Sequence, residues 1–269
     1  MHVMSRMAAA CLLIAVGGAQ AADSEQLDDL VARVQFDAYA TDTRALRADL
    51  NAMARLEVDG ELSAQRQYFL AYGRWKLAEA LLAGDRAAAK RAAEQCGDAL
   101  DPILDVKPPR SNAMPAAERE RWFDRRAEAL AIAAGCRWTV AEASYLPGSE
   151  ALGGIKVDKT LDEALALRPK NPRVRFVDAM LSLRRASDDA ERNRAQAKLT
   201  AVVDAFDAQP PAELGAVDWG HAEALTYLGQ AYLANGNRIA ARNALERALV
   251  LAPDFSHAKA LLKQALTAQ

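Results

Sequence analysis

The sequence predicts an all-α protein, an α-solenoid in which about eleven helices stack as antiparallel pairs. Three observations support this class. Apolar residues recur every three or four positions along almost all of the chain after residue 22. Alanine, leucine, arginine and glutamate dominate, and alternating runs of β-branched residues are missing. Short turns separate the helical stretches, so helices adjacent in sequence must pack against each other.

The first three helices are predicted from their apolar stripes and their breaks. They cover residues 23 to about 39, 43 to about 55, and 61 to a stop at Gly84. The apolar positions fall at helical spacing, which predicts that they face a common core. The stripes of the first two helices are Leu27, Leu30, Val31, Val34, Leu46, Leu50 and Met53.

The later helices follow the same signals, and glycine marks two places in them. One long helix is predicted after Pro115 to about Tyr145, with Gly135 as the position where it could bend or split, and Gly153 with Gly154 is expected to interrupt the next one. Pro172 is suited to the first turn of a helix. The predicted helices of this part cover residues 85–100, 116–145, 159–168, 172–185, 188–206, 219–235, 238–251 and 254–266.

The N-terminus has the features of a secretory signal peptide over residues 1–21. A short segment containing Arg6 precedes an apolar stretch, and Ala19-Gln20-Ala21 forms a small-x-small cleavage site. Cys11 does not indicate a lipid anchor, because most of the apolar stretch follows it. No segment reaches the roughly 20 apolar residues that span a bilayer. We therefore expect a chain from Ala22 onward that is periplasmic or secreted, without a membrane span.

Two cysteines remain after this segment, Cys96 and Cys136. In an oxidising compartment they are candidates for one disulfide bond. Buried free cysteines on alanine-rich helices are equally compatible with the sequence, since cysteine behaves as a small apolar residue. The spacing alone does not decide between the two.

Small and large residues alternate in a fixed order in the stretch that begins at Ala222. Glycine and alanine stand where two helices must approach closely, large residues fill the space around that contact, and proline ends the second helix. Asn235, Gly236 and Asn237 supply the turn between the helices. The residues that form this signature are Leu225, Leu228, Gly229, Tyr232, Ala241, Leu245, Ala248 and Pro253.

This signature resembles the tetratricopeptide repeat (TPR), a 34-residue helix-turn-helix unit. The chain is also similar to secreted bacterial repeat proteins of uncharacterised function. Leu161, Ala164 and Pro169 have the spacing of the second helix of another repeat. The resemblance implies stacked helix pairs, with degenerate repeats in residues 22–146, and a clearer TPR-like region with a capping helix in residues 147–269.

Motifs for catalysis or cofactor binding are missing from the sequence. His221 and His257 do not belong to a zinc motif, and there is no nucleophile elbow or phosphate-binding loop. The 34 basic residues are balanced by 36 acidic ones, so no overall positive charge would attract nucleic acid. We therefore expect no metal, no cofactor and no nucleic-acid partner.

The function predicted from these features is a non-catalytic scaffold that binds another protein or a peptide through the concave face. In such arrays the first helix of each pair lines that face. The candidate contact residues on the first helix of the strong repeat are Glu223, Thr226, Gln230 and Leu233. Two alternatives stay open: an all-helical envelope hydrolase, which would need two carboxylates about 5–10 Å apart in a cleft, and a structural subunit of an envelope assembly.

Overall fold

The computed structural model describes the backbone of residues 5–107, 114–144, 149–210 and 218–267, and the side chains of these ranges from residue 22 onward, except residues 149–152. Eleven α-helices and no strand are found in these ranges, which confirms the predicted fold class. The helices are α1 (Ser5–Ala40), α2 (Thr43–Arg55), α3 (Gly60–Leu81), α4 (Arg86–Leu104), α5 (Ala116–Ala143), α6 (Ser149–Leu167), α7 (Pro172–Arg185), α8 (Asp189–Asp207), α9 (His221–Ala234), α10 (Arg238–Leu251) and α11 (Ser256–Thr267).

Side-chain caps explain where many of these helices begin. The carboxylate of Asp42 accepts hydrogen bonds from the backbone of Arg44 and Ala45 at the start of α2. Asp85, Asp188 and Asn237 cap α4, α8 and α10 in the same way. Each cap satisfies backbone N–H groups that the first helical turn leaves without a partner. The breaks in the sequence pattern are therefore also the positions of residues that cap the next helix.

The helices form two layers. The odd-numbered helices contact one another in chain order and form the inner layer, and each even-numbered helix contacts the two odd helices beside it in sequence. The last inner helix also reaches the first, because α11 contacts α1. There the Ser256 hydroxyl donates a hydrogen bond to the Ala40 carbonyl at 2.8 Å. The inner layer is therefore a closed ring of six helices.

The strong repeat comprises α9 and α10, and its predicted close contact is present. A Cβ atom at Gly229 would lie 2.6 Å from Cγ of Leu245, which is closer than carbon atoms can approach without a shift. Ala241 and Ala248 are fully buried on α10. The turn contains Gly236 at φ 74°, a left-handed conformation that suits glycine. The packing reason given for the small residues is confirmed.

Glycine at this contact leads to a prediction with a matched control. We expect Gly229→Ala to lower the free energy of unfolding by about 1–3 kcal/mol, because the added methyl forces α9 away from Leu245. Gly97→Ala in α4 should raise it by up to about 1 kcal/mol, since its Cβ would meet nothing within 4 Å. Urea denaturation of both variants checks this. Equal shifts of the same sign would contradict the close-contact assignment.

The predicted interruption at Gly153 and Gly154 is wrong, because α6 is one helix that contains both. The long helix predicted after Pro115 is present as α5, which continues through Gly135. Gly135 faces the ring of Trp75, and Gly153 faces Ala141, in each case with no room for a Cβ atom. These two glycines therefore permit close packing between helices. Leu161 and Ala164, which have the spacing of the second helix of a repeat, lie in α6. The helix that packs against α6 is the long helix α5.

The structure joins Cys96 of α4 to Cys136 of α5 by a disulfide bond, with the two Cα atoms 6.3 Å apart. Both side chains are buried. The bond links residues that are 40 positions apart in the chain. In the chain-entropy picture, closing a loop of that length destabilises the unfolded state by about 4 kcal/mol.

Candidate functional site

A cavity of about 400 Å³ lies on the inner side of the ring, next to the point where α11 meets α1. Helices α1, α3, α7, α9 and α11 and the turn before α11 contribute its walls. Four aromatic rings line it: Tyr39, Tyr227, Phe255 and His257. Its main polar side chains are Lys76, Glu79, Arg184, Glu223 and Gln230.

Trp219, just before α9, occupies space at the centre of the ring. Trp219 is 1% exposed and stacks on Tyr72, with ring centroids 5.4 Å apart. Its edge packs against Trp75 and Phe176 at centroid distances of 6.1 and 6.4 Å. The indole N–H donates a hydrogen bond to the Tyr68 hydroxyl at 2.8 Å. The concave face is therefore occupied largely by the chain itself.

Glu223 separates this filled centre from the cavity. Its carboxylate is 1% exposed and accepts hydrogen bonds from the Tyr39 hydroxyl at 2.9 Å, the Tyr72 hydroxyl at 3.1 Å and the Gly220 backbone N–H at 2.8 Å. These donors lie on α1, on α3 and at the start of α9. Hydrogen bonds of this kind compensate the cost of burying a charge. Glu223 thus links α9 to α1 and α3 within the inner layer.

A second buried carboxylate, that of Glu128 in α5, forms the polar contacts on the other side of Trp219. It accepts hydrogen bonds from the Tyr68 hydroxyl at 2.7 Å and the Asn171 amide at 2.8 Å. Arg173 lies 3.6 Å from it and forms an ion pair. Because Tyr68 also accepts the hydrogen bond from Trp219, the two sides share one polar network. Such networks favour one packing arrangement over others.

Two cations on the cavity wall are paired with carboxylates. Lys76 Nζ lies 3.2 Å from Glu79 and 3.9 Å from Glu223, and Arg184 lies 2.8 Å from Glu79 and 2.5 Å from Glu142. Burial of Glu79 opposes its ionisation, but Lys76 and Arg184 outweigh this effect and hold the pKa of the carboxyl below its usual value. Glu79 is therefore ionised at neutral pH.

Two ring side chains in the cavity are neutral at neutral pH. Burial lowers the pKa of His257; nearby Glu79 opposes this, and the charges of Lys76 and Arg184 add to it. Burial raises the pKa of Tyr227 far above the neutral range, so its hydroxyl keeps its proton. A neutral imidazole offers one donor and one acceptor, and a phenol offers both functions in one group.

One side-chain oxygen at this cavity is buried without a donor. It belongs to Gln230, which accepts no hydrogen bond from the residues that the structure describes. A buried amide oxygen without a donor costs about 1–3 kcal/mol, so a ligand that supplied one would gain from it.

Thr41 at the cavity edge has φ 58°, an unusual conformation for a β-branched residue. The backbone N–H of Asp42 donates to the Asp37 carbonyl at 3.0 Å, which ends α1. The short turn at Thr41 sends the chain directly into α2, while Tyr39 in the last turn of α1 faces the cavity. Strained residues of this kind often lie at ligand sites.

The structure places the four predicted contact residues in different environments. Glu223 and Thr226 are buried, and the Thr226 hydroxyl donates to the Ala222 carbonyl at 2.8 Å. Gln230 lines the cavity, and Leu233 is partly buried in the core. The prediction from sequence assumes an open concave face, whereas the closed ring covers the first half of α9. Of the four, Gln230 and Glu223 line the cavity, and Gln230 is the more exposed.

Other residues of the site carry no signal in the repeat pattern. Lys76 and Glu79 lie in α3, and Arg184 lies at the end of α7, so none belongs to the repeat signature. In the sequence, His257 is notable only as one of two histidines in the later part of the chain, and it belongs to no zinc motif. The signal available for Trp219 is its place beside Gly220, immediately before α9, where a large apolar residue in a connection is unusual.

Neither a metal site nor a membrane span is found in the part of the chain that the structure describes. Among the described residues, no three histidine, cysteine, aspartate or glutamate side chains lie together in a way that could hold a metal ion. Among the same residues, none of the helices combines the length and the apolar character needed to cross a bilayer. The predicted signal peptide falls largely within α1, and its side chains lie outside the described residues.

Comparison with known proteins gives a fold and no family. No protein-family model matches the sequence, and no curated protein sequence matches it. Among solved structures, the chain is similar to a thermophilic TPR protein of Thermus thermophilus, with a TM-score of 0.55 and 14% identity over 91% of this chain and all of the other. The fold is TPR-like. It is also similar to the HusA haemophore of Porphyromonas gingivalis, with a TM-score of 0.53 and 20% identity over 78% of this chain and 92% of the other.

Both identities are too low to carry a function, so the likeness concerns the fold alone. The two neighbours support the predicted TPR-like arrangement of helix pairs. One is named for its repeats and the other as a haemophore, and the shared fold does not identify a ligand for this chain.

Proposed function

We propose that this protein is a non-catalytic binding protein of the cell envelope, which holds a peptide or a segment of another protein in the cavity beside the α1–α11 contact. The observation that carries the proposal is the unpartnered Gln230 side-chain oxygen in a cavity lined by aromatic rings. A TPR-like fold and a predicted signal peptide support a binding role outside the cytoplasm. The contact surface is thus smaller than the concave face predicted from sequence.

A hydrolytic function is less well supported, although two carboxylates lie close together. Lys76 Nζ is 3.2 Å from Glu79 and 3.9 Å from Glu223, so these carboxylate oxygens are no more than about 7 Å apart. A glycoside hydrolase needs one of its two carboxyls to carry a proton at working pH. Glu79 has a lowered pKa, and every oxygen of Glu223 already accepts a hydrogen bond. Neither is placed to act as a general acid.

Haem is suggested as a ligand by the name of one structural neighbour, but the cavity does not favour it. A haem brings two propionate groups and with them a surplus of negative charge, which calls for a surplus of cations. The lining of the cavity offers no such surplus, because Lys76 and Arg184 are balanced by Glu79 and Glu223. Haem therefore serves as a negative control, and we expect no change in its visible absorption spectrum when the protein is added.

Affinity purification with a blocked cavity tests the proposed function. Ala80 lines the cavity from α3, so Ala80→Trp should fill the entrance without removing an internal hydrogen bond. Ala54 is exposed on the outer helix α2, and Ala54→Trp is the matched control. Wild type and Ala54→Trp should capture the same partner from an envelope extract, and Ala80→Trp should lose at least nine-tenths of it.

Equal capture by all three proteins would overturn the assignment of the cavity. A partner held at fixed stoichiometry and unaffected by Ala80→Trp would instead favour the structural-subunit alternative, in which an outer surface makes the contact. Circular dichroism and thermal melting of each variant establish that the fold is retained.

A further inference from the structure

The cavity is closed toward the centre of the molecule. Glu223 forms its inner wall, and Tyr72, Trp75 and Trp219 fill the space behind that residue. The contact of α11 with α1 closes the ring on the remaining side. A long peptide therefore has no path through the inner space. The end of a chain, or a small free molecule, is what such a cavity can hold.

The size of the cavity agrees with a small ligand. Its volume of about 400 Å³ is near the lower end of the range of about 300–1,000 Å³ that small-molecule sites occupy. The ligand must also match a nearly balanced set of charges, since Lys76 and Arg184 face Glu79 and Glu223. A ligand with a net charge would leave that charge poorly compensated in a partly buried place.

The hydrogen-bonding groups of the cavity that have no partner would be complemented by a ligand with both a donor and an acceptor. Gln230 Oε1 is buried and needs a donor. Arg184 carries five N–H groups, of which Glu79 and Glu142 accept two, so it keeps N–H groups for an acceptor. Lys76 donates to Glu79 and lies 3.9 Å from Glu223 and 4.1 Å from the centre of the Trp75 ring, so its main contribution is positive charge. A carboxylate meets both cations best, because charged acceptors form the stronger hydrogen bonds.

The remaining wall is aromatic. Tyr39 and Phe255 pack with their ring centroids 4.8 Å apart, and Tyr227 and His257 meet edge to face at 5.8 Å. These rings offer apolar surface to an apolar or aromatic side chain of the ligand. A molecule that carries an ammonium group, a carboxylate and an apolar side chain would complement the Gln230 oxygen, the cations and the aromatic wall together.

We propose that the cavity binds a free short peptide of two or three residues as a zwitterion, with its carboxylate at Lys76 and Arg184, its ammonium group at Gln230 and its side chain on Tyr39 and Phe255. This inference rests on the proposed function, because it names the chemical class of the ligand at the same site. Of the two ligands named there, a peptide and a segment of another protein, it selects the peptide, as a molecule that has both ends free.

Isothermal titration calorimetry with defined dipeptides tests this inference. The probes are Ala-Phe with free ends, N-acetylated Ala-Phe, Ala-Phe amide and Gly-Gly. We expect one molecule of free Ala-Phe to bind per chain, and each blocked form and Gly-Gly to bind at least tenfold more weakly. Ala80→Trp should abolish the binding, whereas Ala54→Trp should leave it unchanged.

Gln230→Leu identifies the group that holds the ammonium end. It should weaken the binding of free Ala-Phe at least fivefold and leave the weak binding of the N-acetylated form unchanged, because the contact it removes is absent from that complex. Equal affinity for the free and blocked forms, or no saturable binding of free Ala-Phe, would overturn the inference. If an envelope protein is nevertheless lost with Ala80→Trp, the proposed function stands without it.

Discussion

Replacing Trp219 with alanine should lower the free energy of unfolding by about 4 kcal/mol, the largest effect that we expect from any single substitution. The side chain is 1% exposed and contacts Tyr72 and Trp75 of α3 and Phe176 of α7. Removing it leaves a large void in the centre of the ring. It also deprives the Tyr68 hydroxyl of the indole donor at 2.8 Å.

Chemical denaturation in urea, followed by circular dichroism, measures this loss. Trp122→Ala is the matched control, since Trp122 is only partly buried near the start of α5 and should cost about 1 kcal/mol or less. Trp219→Phe keeps most of the volume but removes the N–H donor, so an intermediate loss is expected. A loss below about 1 kcal/mol for Trp219→Ala would show that the ring is not filled by this residue.

The local features of the fold were predictable because they depend on residues close in sequence. Gly229 and Leu245 are separated by one turn and belong to one helix pair, so the repeat signature identified their contact. The caps at Asp42 and Asp188 also act within three residues. The prediction at Gly153 was wrong because a glycine that permits close packing and a glycine that ends a helix are alike in a single sequence.

The site could not be predicted in the same way, because it depends on contacts between distant parts of the chain. Tyr39 and Glu223 are 184 residues apart, and Ser256 meets Ala40 over 216 residues. Whether a helical array stays open or closes on itself depends on small rotations accumulated at every pair. Periodicity predicts that Glu223 lies on the concave face of α9. In the closed ring, that side chain makes an internal polar contact.

The contacts of Glu223 lead to the second large prediction. Replacing Glu223 with alanine should lower the free energy of unfolding by about 3 kcal/mol. Three hydrogen-bond donors, the hydroxyls of Tyr39 and Tyr72 and the Gly220 N–H, would lose their acceptor in a buried place. Lys76, 3.9 Å away, would lose one of its two carboxylate partners. The loss should appear in urea denaturation at pH 7.

Three comparison variants separate the buried contact from a general effect of charge. Glu246→Ala removes an exposed carboxylate that pairs with Arg242 on α10, and it should change the stability by less than about 0.5 kcal/mol. Tyr39→Phe and Glu223→Ala should be non-additive, because they remove the same hydrogen bond between α1 and α9. Additive losses would mean that the ring closes without this bond. In that case, the dipeptide affinity of the double variant would report the position of α1 more sensitively than its unfolding free energy does. The reason is that Tyr39 and Glu223 both line the cavity.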